Sequence, residues 1–405
     1  MSALPPSLPL PMIDRNLAPT LLQSASWYPV VTLTGPRQSG KTTLCRALFP
    51  EHRYLSLEAP DVRAFAREDP CGFLQDAGDA VLLDEVQQVP ELLSWVQVAV
   101  DEDPTPGRYV LTGSQHLGLS AAVAQTLAGR TAIHHLLPPS WEELQRFEEP
   151  PRTLDDVLFA GAYPRIHDRG IPAPRWLSDY LQTWVQRDVR QVLEVTRLEA
   201  FERFLRLAAG RTACELNMSA LGGDVGVSHN TIREWVSVLE TCFLLHRVPP
   251  WHANIRKRLI KAPKLHFVDT GLACALLGIR TIDQLRHHPL RGALVETWVA
   301  SECLKQQVHA GLVPALQHVR AAGGLEVDLL ASAGQQLWAL EVKSGRTITP
   351  EHVRHLESFR DLVSTSNAGF DVRSVLLHGG ETRSTIRGCE VIPWSALPEL
   401  DITKP

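Results

Sequence analysis

Eight consecutive residues, Gly35-Pro36-Arg37-Gln38-Ser39-Gly40-Lys41-Thr42, carry two glycines, a lysine and a threonine at the spacing that wraps a loop around phosphate oxygens. Glycine lets the loop turn closely, and backbone N–H groups at the start of a following helix offer positive potential. Lys41 can reach terminal phosphates, Thr42 can ligate Mg²⁺, and Thr43 is read as a further nucleotide-binding residue. Downstream, Ala80-Val81-Leu82-Leu83 runs into Asp84-Glu85. Behind a phosphate-binding loop, such a pair gives one carboxylate to a metal shell and the next, here Glu85, to activation of water as general base. A third run, Tyr109 to Thr112, ends in Gly113-Ser114-Gln115. Ser114 then either senses a terminal phosphate or ends the strand and caps a helix. Arg130 is open to two readings, an arginine finger offered to a neighbouring subunit or a salt-bridged surface arginine. Together these residues imply ATP and Mg²⁺ as cofactors and hydrolysis as the chemistry.

A second set lies near the carboxyl end. Leu325-Glu326-Val327-Asp328-Leu329-Leu330 and Leu337 to Lys343 read as adjacent strands joined by a turn. Period-two alternation then lets Asp328, Glu341 and Lys343 meet, with Glu296 on the preceding helix able to join them. Two carboxylates and a lysine in this order resemble the PD-(D/E)xK nuclease fold, in which acidic residues hold Mg²⁺ and lysine orients water. A salt-bridged core and a nuclease-like fold that only binds DNA fit the same residues. His309, His318 and His352 lack an organised metal-ligand spacing and read as ordinary helix or loop residues.

Between the two sets, Glu215 to Leu245 reads as a helix, a turn at Gly226-Val227-Ser228, and a second amphipathic helix. Ser228 caps that helix, Ile232, Trp235, Val236 and Leu239 face inward, and His229, Asn230, Arg233 and Glu234 face outward. A basic run follows (Arg247, His252, Arg256, Lys257, Arg258, Lys261 and Lys264) where a winged domain would place its wing. Arg256, Lys257, Arg258 and Lys261 are the expected DNA contacts, the alternative being a winged module used for packing with a solvated basic loop.

The elements that must position these groups divide the chain of 405 residues into more than one folding unit. Alternating strand and helix signals imply a parallel α/β sheet over 14–147; a mainly α unit with the winged helix fills 152–289; and an α/β unit fills 290–400. The overall fold class is α/β. Within the last unit a helix is expected over Gly292 to Gln307, strands over Leu325–Ala331, Leu337–Lys343, Val372–Leu377 and Glu390–Pro393, and a helix over Pro350–Val363. An apolar fraction of 44% with 21% charged residues suits packed cores. The net charge of −5 excludes a chain coated in basic residues, so nucleic-acid contact must be local. Seven scattered cysteines without a C-x-x-C pair indicate reduced thiols. The Pro-rich start reads as a flexible arm lacking a secretory signal, and no run approaches a membrane span, so a soluble cytoplasmic protein without membrane contact is expected.

Taken together, R-N-L-A-P-T-L-L from Arg15, L-T-G-P-R-Q-S-G-K-T-T-L, L-L-D-E-V-Q-Q-V-P, Y-V-L-T-G-S-Q, L-A-G-R-T, V-D-T-G-L and G-A-L-V-E resemble one group of proteins. It is the AAA-type ATPases of bacteria and archaea that carry a conserved C-terminal domain of unknown function. The resemblance spans nearly the whole chain and implies an ATPase, with a homo-oligomer, a hexameric ring included, as the associated assembly. No second phosphate-binding loop and no separate lid bundle with its own arginine signature are legible. The function expected is an AAA-type ATPase that remodels or moves along DNA, branched or repair DNA included, through the winged helix and nuclease-like units. A nucleotide-dependent switch that binds a protein partner, in signalling or toxin–antitoxin control, and an ATPase-coupled Mg²⁺-dependent DNA nuclease are the alternatives.

Overall fold

The computed structural model describes residues 13–114, 123, 125–185, 198–251, 262–321, 324–365 and 369–404. Gln115, His252, Arg256, Lys257, Arg258 and Lys261 lie outside the described residues.

The first sheet is built from short apolar runs that can be buried on both faces, as a parallel sheet requires. Its strands are β1 (Val30–Gly35), β2 (Arg53–Ser56), β3 (Val81–Asp84), β4 (Tyr109–Ser114) and β5 (Thr131–His135), all parallel in the order β2-β3-β4-β1-β5. Helices Ala18–Ala25 and Lys41–Leu48 cover one face, where Leu17, Leu21, Leu44 and Cys45 meet Val31 and Leu33. Helices Pro70–Ala77 and Leu92–Glu102 cover the other through Phe73, Leu92 and Val96 against Val30 and Leu111. Since Gly35 pairs with Ser114 and Leu83 with Leu111, the carboxyl ends of β1, β3 and β4 open on one edge, where α/β sheets place ligands.

Helices Leu154–Ala160, Pro164–Asp168, Ala173–Trp184 and Leu198–Ala209 follow. Then come β6 (Cys214–Glu215), helices Met218–Val225 and His229–Thr241, β7 (Leu245–Val248) and β8 (Lys264–Phe267), the strands forming an antiparallel sheet ordered β6-β8-β7. The helix pair is punctuated as its sequence requires. Asn217 accepts from Ala220 N at 2.9 Å, Gly226 ends the first helix at φ +84°, and Ser228 accepts from Thr231 N at 3.1 Å. Ile232, Trp235, Val236 and Leu239 are buried while His229, Asn230, Arg233 and Glu234 are exposed, as the spacing predicts.

After helices Thr270–Leu276 and Ile282–His287, a long helix, Arg291–His309, leads into the third sheet. Its strands are β9 (Leu316–Arg320), β10 (Glu326–Ala333), β11 (Gln336–Lys343), β12 (Asp371–His378), β13 (Ser384–Ile386) and β14 (Cys389–Pro393), in the order β13-β14-β12-β11-β10-β9. β10 runs antiparallel to β9 and β11, whereas β12 is parallel to β11 and β14. The helix expected from Pro350 begins as a 3₁₀ turn over Pro350–Val353 and is α-helical over Arg354–Thr365. One apolar core runs from Leu137 through Phe204, Trp235 and Trp298 to Ile402. The long helix is therefore shared between the middle unit and the last sheet. Among the described residues no helix is long and apolar enough to cross a membrane.

Candidate functional site

The loop after β1 needs its glycines for two different reasons. A Cβ on Gly35 would stand 2.3 Å from Leu136 O, so the close approach of the neighbouring edge, rather than a ligand, demands glycine there. Gly40, at φ +96°, begins the Lys41–Leu48 helix in a conformation that side-chain-bearing residues avoid. Lys41 is buried and donates to Gly35 O at 3.0 Å and Pro36 O at 2.8 Å. Burial lowers its pKa to about 8, against the pull of Glu85. The Ser39 hydroxyl is buried without a partner, as a loop shaped for an oxygen-rich ligand would leave it.

Asp84, at the end of β3, is a convergence point for hydroxyls. Thr42 Oγ1 donates to its two oxygens at 3.0 and 3.2 Å, Thr112 Oγ1 donates to Oδ1, and Tyr54 OH donates to Oδ2 at 2.9 Å. Burial, with Asp84 beside it, pushes the Tyr54 phenol up to about 12, so it stays a donor. A hydroxyl on a carboxylate is the donor set that suits a Mg²⁺ ion on a phosphate chain. Glu85 sits in the left-handed region at φ +58°, which turns its side chain off the strand axis. Ser114 Oγ donates to Glu85 Oε2 at 3.1 Å, and Gln87 Nε2 donates both to Glu85 and, at 3.0 Å, to Ser114 Oγ. Burial acts to raise the Glu85 pKa, but Lys41 and the Gln87 hydrogen bond outweigh it and hold the carboxyl below its usual range. Ser114 is thus tied to the expected base and not merely to a strand end.

The facing wall of this cleft, about 400 Å³ in volume, comes from the middle unit: exposed Arg165 and Arg169 lie across from Lys41, Thr42 and Glu85. Neither arginine was indicated by the sequence. Their helix, Pro164–Asp168, is fixed by Asp269, whose carboxylate accepts from Ala162 N at 2.7 Å and Leu272 N at 2.9 Å while fully buried. A Cβ on Gly161 would meet Asp269 Oδ1 at 2.3 Å, and one on Gly271 would meet Ala160 O at 2.7 Å. The distant V-D-T-G-L and G-A-Y-P-R stretches are therefore two halves of one clamp. That pairing, and a proline-begun helix with Arg165 near its start and Arg169 just past its end, was the signal available.

Behind the loop, Arg15 donates to Ser39 O at 2.9 Å, Leu137 O at 2.7 Å and Glu143 Oε1 at 3.0 Å. Burial raises the Glu143 pKa, but Arg15 and His309 outweigh it and bring it to about 2. His309, expected to be ordinary, is buried with both ring nitrogens unpartnered and Nδ1 3.8 Å from Glu143. Arg130 is not brought to the cleft. It precedes β5 at the opposite, amino-terminal edge of the sheet and pairs with Asp101.

The C-terminal carboxylates do converge. Leu329 pairs with Leu340, which sets Asp328 opposite Glu341; Asp328 Oδ2 accepts from Val342 N at 2.9 Å, and Lys343 Nζ donates to Glu341 Oε1 at 2.6 Å. Glu296 joins from the long helix, but through a residue assigned to the basic run: Lys264 Nζ lies 2.8 Å from Glu296 and 3.7 Å from both Glu326 and Asp328. Lys264 is 3% exposed and so does not belong to a solvated phosphate-contacting surface, whereas Arg247 pairs with Glu240 and stays partly open to solvent. The expectation of a solvated basic side chain fails for Lys264 because carboxylates of the long helix and β10 claim it. Burial and Asp328 push Glu296 up to about 8 and Glu341 up to about 7. Among the described residues no three His, Cys, Asp or Glu side chains are placed to hold a metal ion.

Three family models match consecutive stretches of the chain: an AAA domain over residues 28–145, a domain of unknown function (DUF8612) over 151–283, and a domain of unknown function (DUF4143) over 291–397. The uncharacterized proteins Rv2008c of Mycobacterium tuberculosis and Mb2031c of Mycobacterium bovis are each 28% identical to it over 348 residues, covering 85% of this chain and 76% of theirs. A Walker-type ATPase of Pyrococcus abyssi superposes with a TM-score of 0.44 at 16% identity, over 65% of this chain and 96% of that one. AMPPCP-bound DnaA of Aquifex aeolicus gives 0.30 at 14% identity, over 55% and 85%. The chain carries an AAA-type P-loop ATPase domain joined to a C-terminal domain of unknown function.

Proposed function

We propose that this chain, an AAA-type P-loop ATPase domain followed by two units of unknown function, hydrolyses ATP at the 35–43 loop and uses the cycle to reposition those units on DNA. The observation that carries the ATPase part is the juxtaposition of Lys41, Asp84-bound Thr42 and Ser114-bound Glu85 at one sheet edge, beneath Arg165 and Arg169 of the next unit. Thr42 and Asp84 would hold Mg²⁺, which neutralises charge on the phosphates. Loop N–H groups and Lys41 bind the phosphate chain. Glu85 accepts a proton from water, Ser114 and Gln87 orient that carboxylate, and Arg165 and Arg169 stabilise charge on the terminal phosphate from the opposite wall.

Arginines from a second unit on the nucleotide cleft also supply the link from chemistry to motion, because gain or loss of the terminal phosphate changes what holds that wall. DNA as the target is supported by the capped helix pair, which β6 precedes and β7 and β8 follow in a sheet ordered β6-β8-β7, the order expected of a winged helix, with Arg233 outward and Arg256, Lys257, Arg258 and Lys261 farther along the chain. The rival reading, a nucleotide switch for a protein partner, uses the same cleft. Charge reversal of Lys257, Arg258 and Lys261 separates them: DNA affinity should fall and lose its salt dependence, with ATP hydrolysis retained, and unchanged DNA affinity would sink the DNA reading. For the ATPase itself, Lys41→Ala should abolish nucleotide binding by calorimetry. Retained binding of ATP with magnesium would remove the loop from the site.

A further inference from the structure

Arg15 lies buried behind the nucleotide loop and divides its guanidinium among three acceptors, Glu143 Oε1, Ser39 O and Leu137 O, the latter two at 2.9 and 2.7 Å. Glu143, wholly buried, also accepts from Asn16 N at 2.6 Å and Ser140 N at 2.8 Å, so the carboxylate that aims Arg15 is itself fixed. The effect on the loop follows from peptide geometry. In a trans peptide the carbonyl and the next N–H point opposite ways. With Ser39 O drawn back onto Arg15, the Gly40 N–H is turned forward, to the side on which Gly40 lines the cleft with Lys41 and Thr42. Gly40, a glycine at φ +96°, does little to hold that peptide by itself. The segment that seats Arg15 is in turn held by the last unit. Lys305 Nζ donates to Pro139 O at 3.0 Å, Glu302 Oε2 accepts from Trp141 N at 2.7 Å, and His309 Nδ1 lies 3.8 Å from Glu143. All three side chains come from the closing turns of the Arg291–His309 helix and are buried.

We propose that Arg15 is a positioning residue of the nucleotide loop, holding the Ser39–Gly40 peptide with its N–H toward the phosphate chain, and that residues 302–309 govern nucleotide affinity through it. This regulation rests on the 35–43 loop being the ATP site. Loop N–H groups serve the phosphates that ATP and ADP share, whereas Arg165 answers to the terminal phosphate alone. Displacement of residues 302–309 therefore releases Arg15, frees the peptide to turn and loosens both nucleotides together. Lysine cannot replace Arg15, because a single point charge does not reach three acceptors at once.

The test is calorimetric binding of ADP and of a non-hydrolysable ATP analogue, each with magnesium, to the full chain as wild type, Arg15→Lys, Lys305→Met and the double variant. Arg15→Lys should weaken both nucleotides about tenfold while turnover at saturating ATP falls no more than about threefold. Lys305→Met should weaken both about fivefold, and the double variant should bind no more weakly than Arg15→Lys, since the two act through one chain of contacts. Unchanged affinity in Arg15→Lys, a loss confined to the ATP analogue, or losses that multiply in the double variant overturn the proposal and leave the ATP site standing. Wild type that binds neither nucleotide overturns the ATP site and the proposal together. Should the variants fail to give a cooperative melt, wild type alone decides: ADP with magnesium should slow amide hydrogen exchange over residues 302–309 at least about threefold, because coupling is reciprocal. Exchange there indifferent to ADP overturns the proposal equally.

Discussion

Glu85 illustrates how much of this site is set by single side chains. It is ionised, held by Ser114 and Gln87, and placed off its strand by a left-handed backbone. Glu85→Gln keeps the shape and the hydrogen-bonding capacity but cannot accept the proton. ATP affinity should stay within about twofold while turnover falls at least ~100-fold, measured by phosphate release. Wild-type turnover would exclude Glu85 as the base. Arg165→Ala tests the other wall: it should lower turnover about 10–100-fold with a smaller effect on ADP than on ATP affinity, as expected for a group that answers to the terminal phosphate. Equal losses for ADP and ATP would place Arg165 elsewhere in recognition. The loop, Asp84 and Glu85 were legible in the sequence because each is written as a contiguous run. Arg165, Tyr54 and Arg15 were not, because their meaning lies in partners 30 or more residues away: Tyr54 on Asp84, Arg15 on Glu143, and the Arg165 turn on Asp269.

At the level of elements, the second helix of the middle pair and β10, β11, β12 and β14 of the last sheet follow from periodicity, whereas the short β9 and β13 carry no such signal and were not expected. Ser228 starts the one and the β10–β11 register places Asp328 opposite Glu341 in the other. What periodicity could not supply is which distant element meets each edge. Lys264 reads as one more cation in a basic run, yet its strand faces acidic neighbours and buries it. The clamp formed by Asp269 is the sharpest test at this scale. Asp269→Ala strands two backbone donors, Ala162 N and Leu272 N, inside the core and should cost about 2–4 kcal/mol in urea unfolding. The same variant should weaken ATP turnover through its effect on the Pro164–Asp168 helix. Stability lost with turnover intact would detach that helix from the nucleotide cleft.

For the whole molecule, buried titratable groups of opposite tendency set a pH window. Burial holds His135, His246, His309 and His318 each at about 4, below an unfolded value near ~6.5, so their contribution is present above pH ~6.5 and is lost as pH falls toward 4. Glu296 and Glu341, pushed up to about 8 and about 7, act the other way: their contribution is present at low pH and is lost as pH rises through those values. The melting temperature should therefore peak at roughly pH 6–7 and decline on both sides, more steeply on the acid side where four histidines act together. A melting temperature flat from pH 7 to pH 4.5 in calorimetry would contradict this balance.

The Arg291–His309 helix spans two chemistries. Near one end Glu302 accepts from Trp141 N at 2.7 Å, Lys305 donates to Pro139 O at 3.0 Å, and His309 abuts the Glu143–Arg15 pair that grips the carbonyl of Ser39; near the other end stands Glu296. His309 lies thirteen positions beyond Glu296, about 20 Å of axial rise that a buried helix neither stretches nor folds. It is a single rigid bar: the side chain that abuts the brace on Ser39 and the carboxylate that holds Lys264 hang from one helix at a fixed separation, so neither can be repositioned without the helix that carries the other.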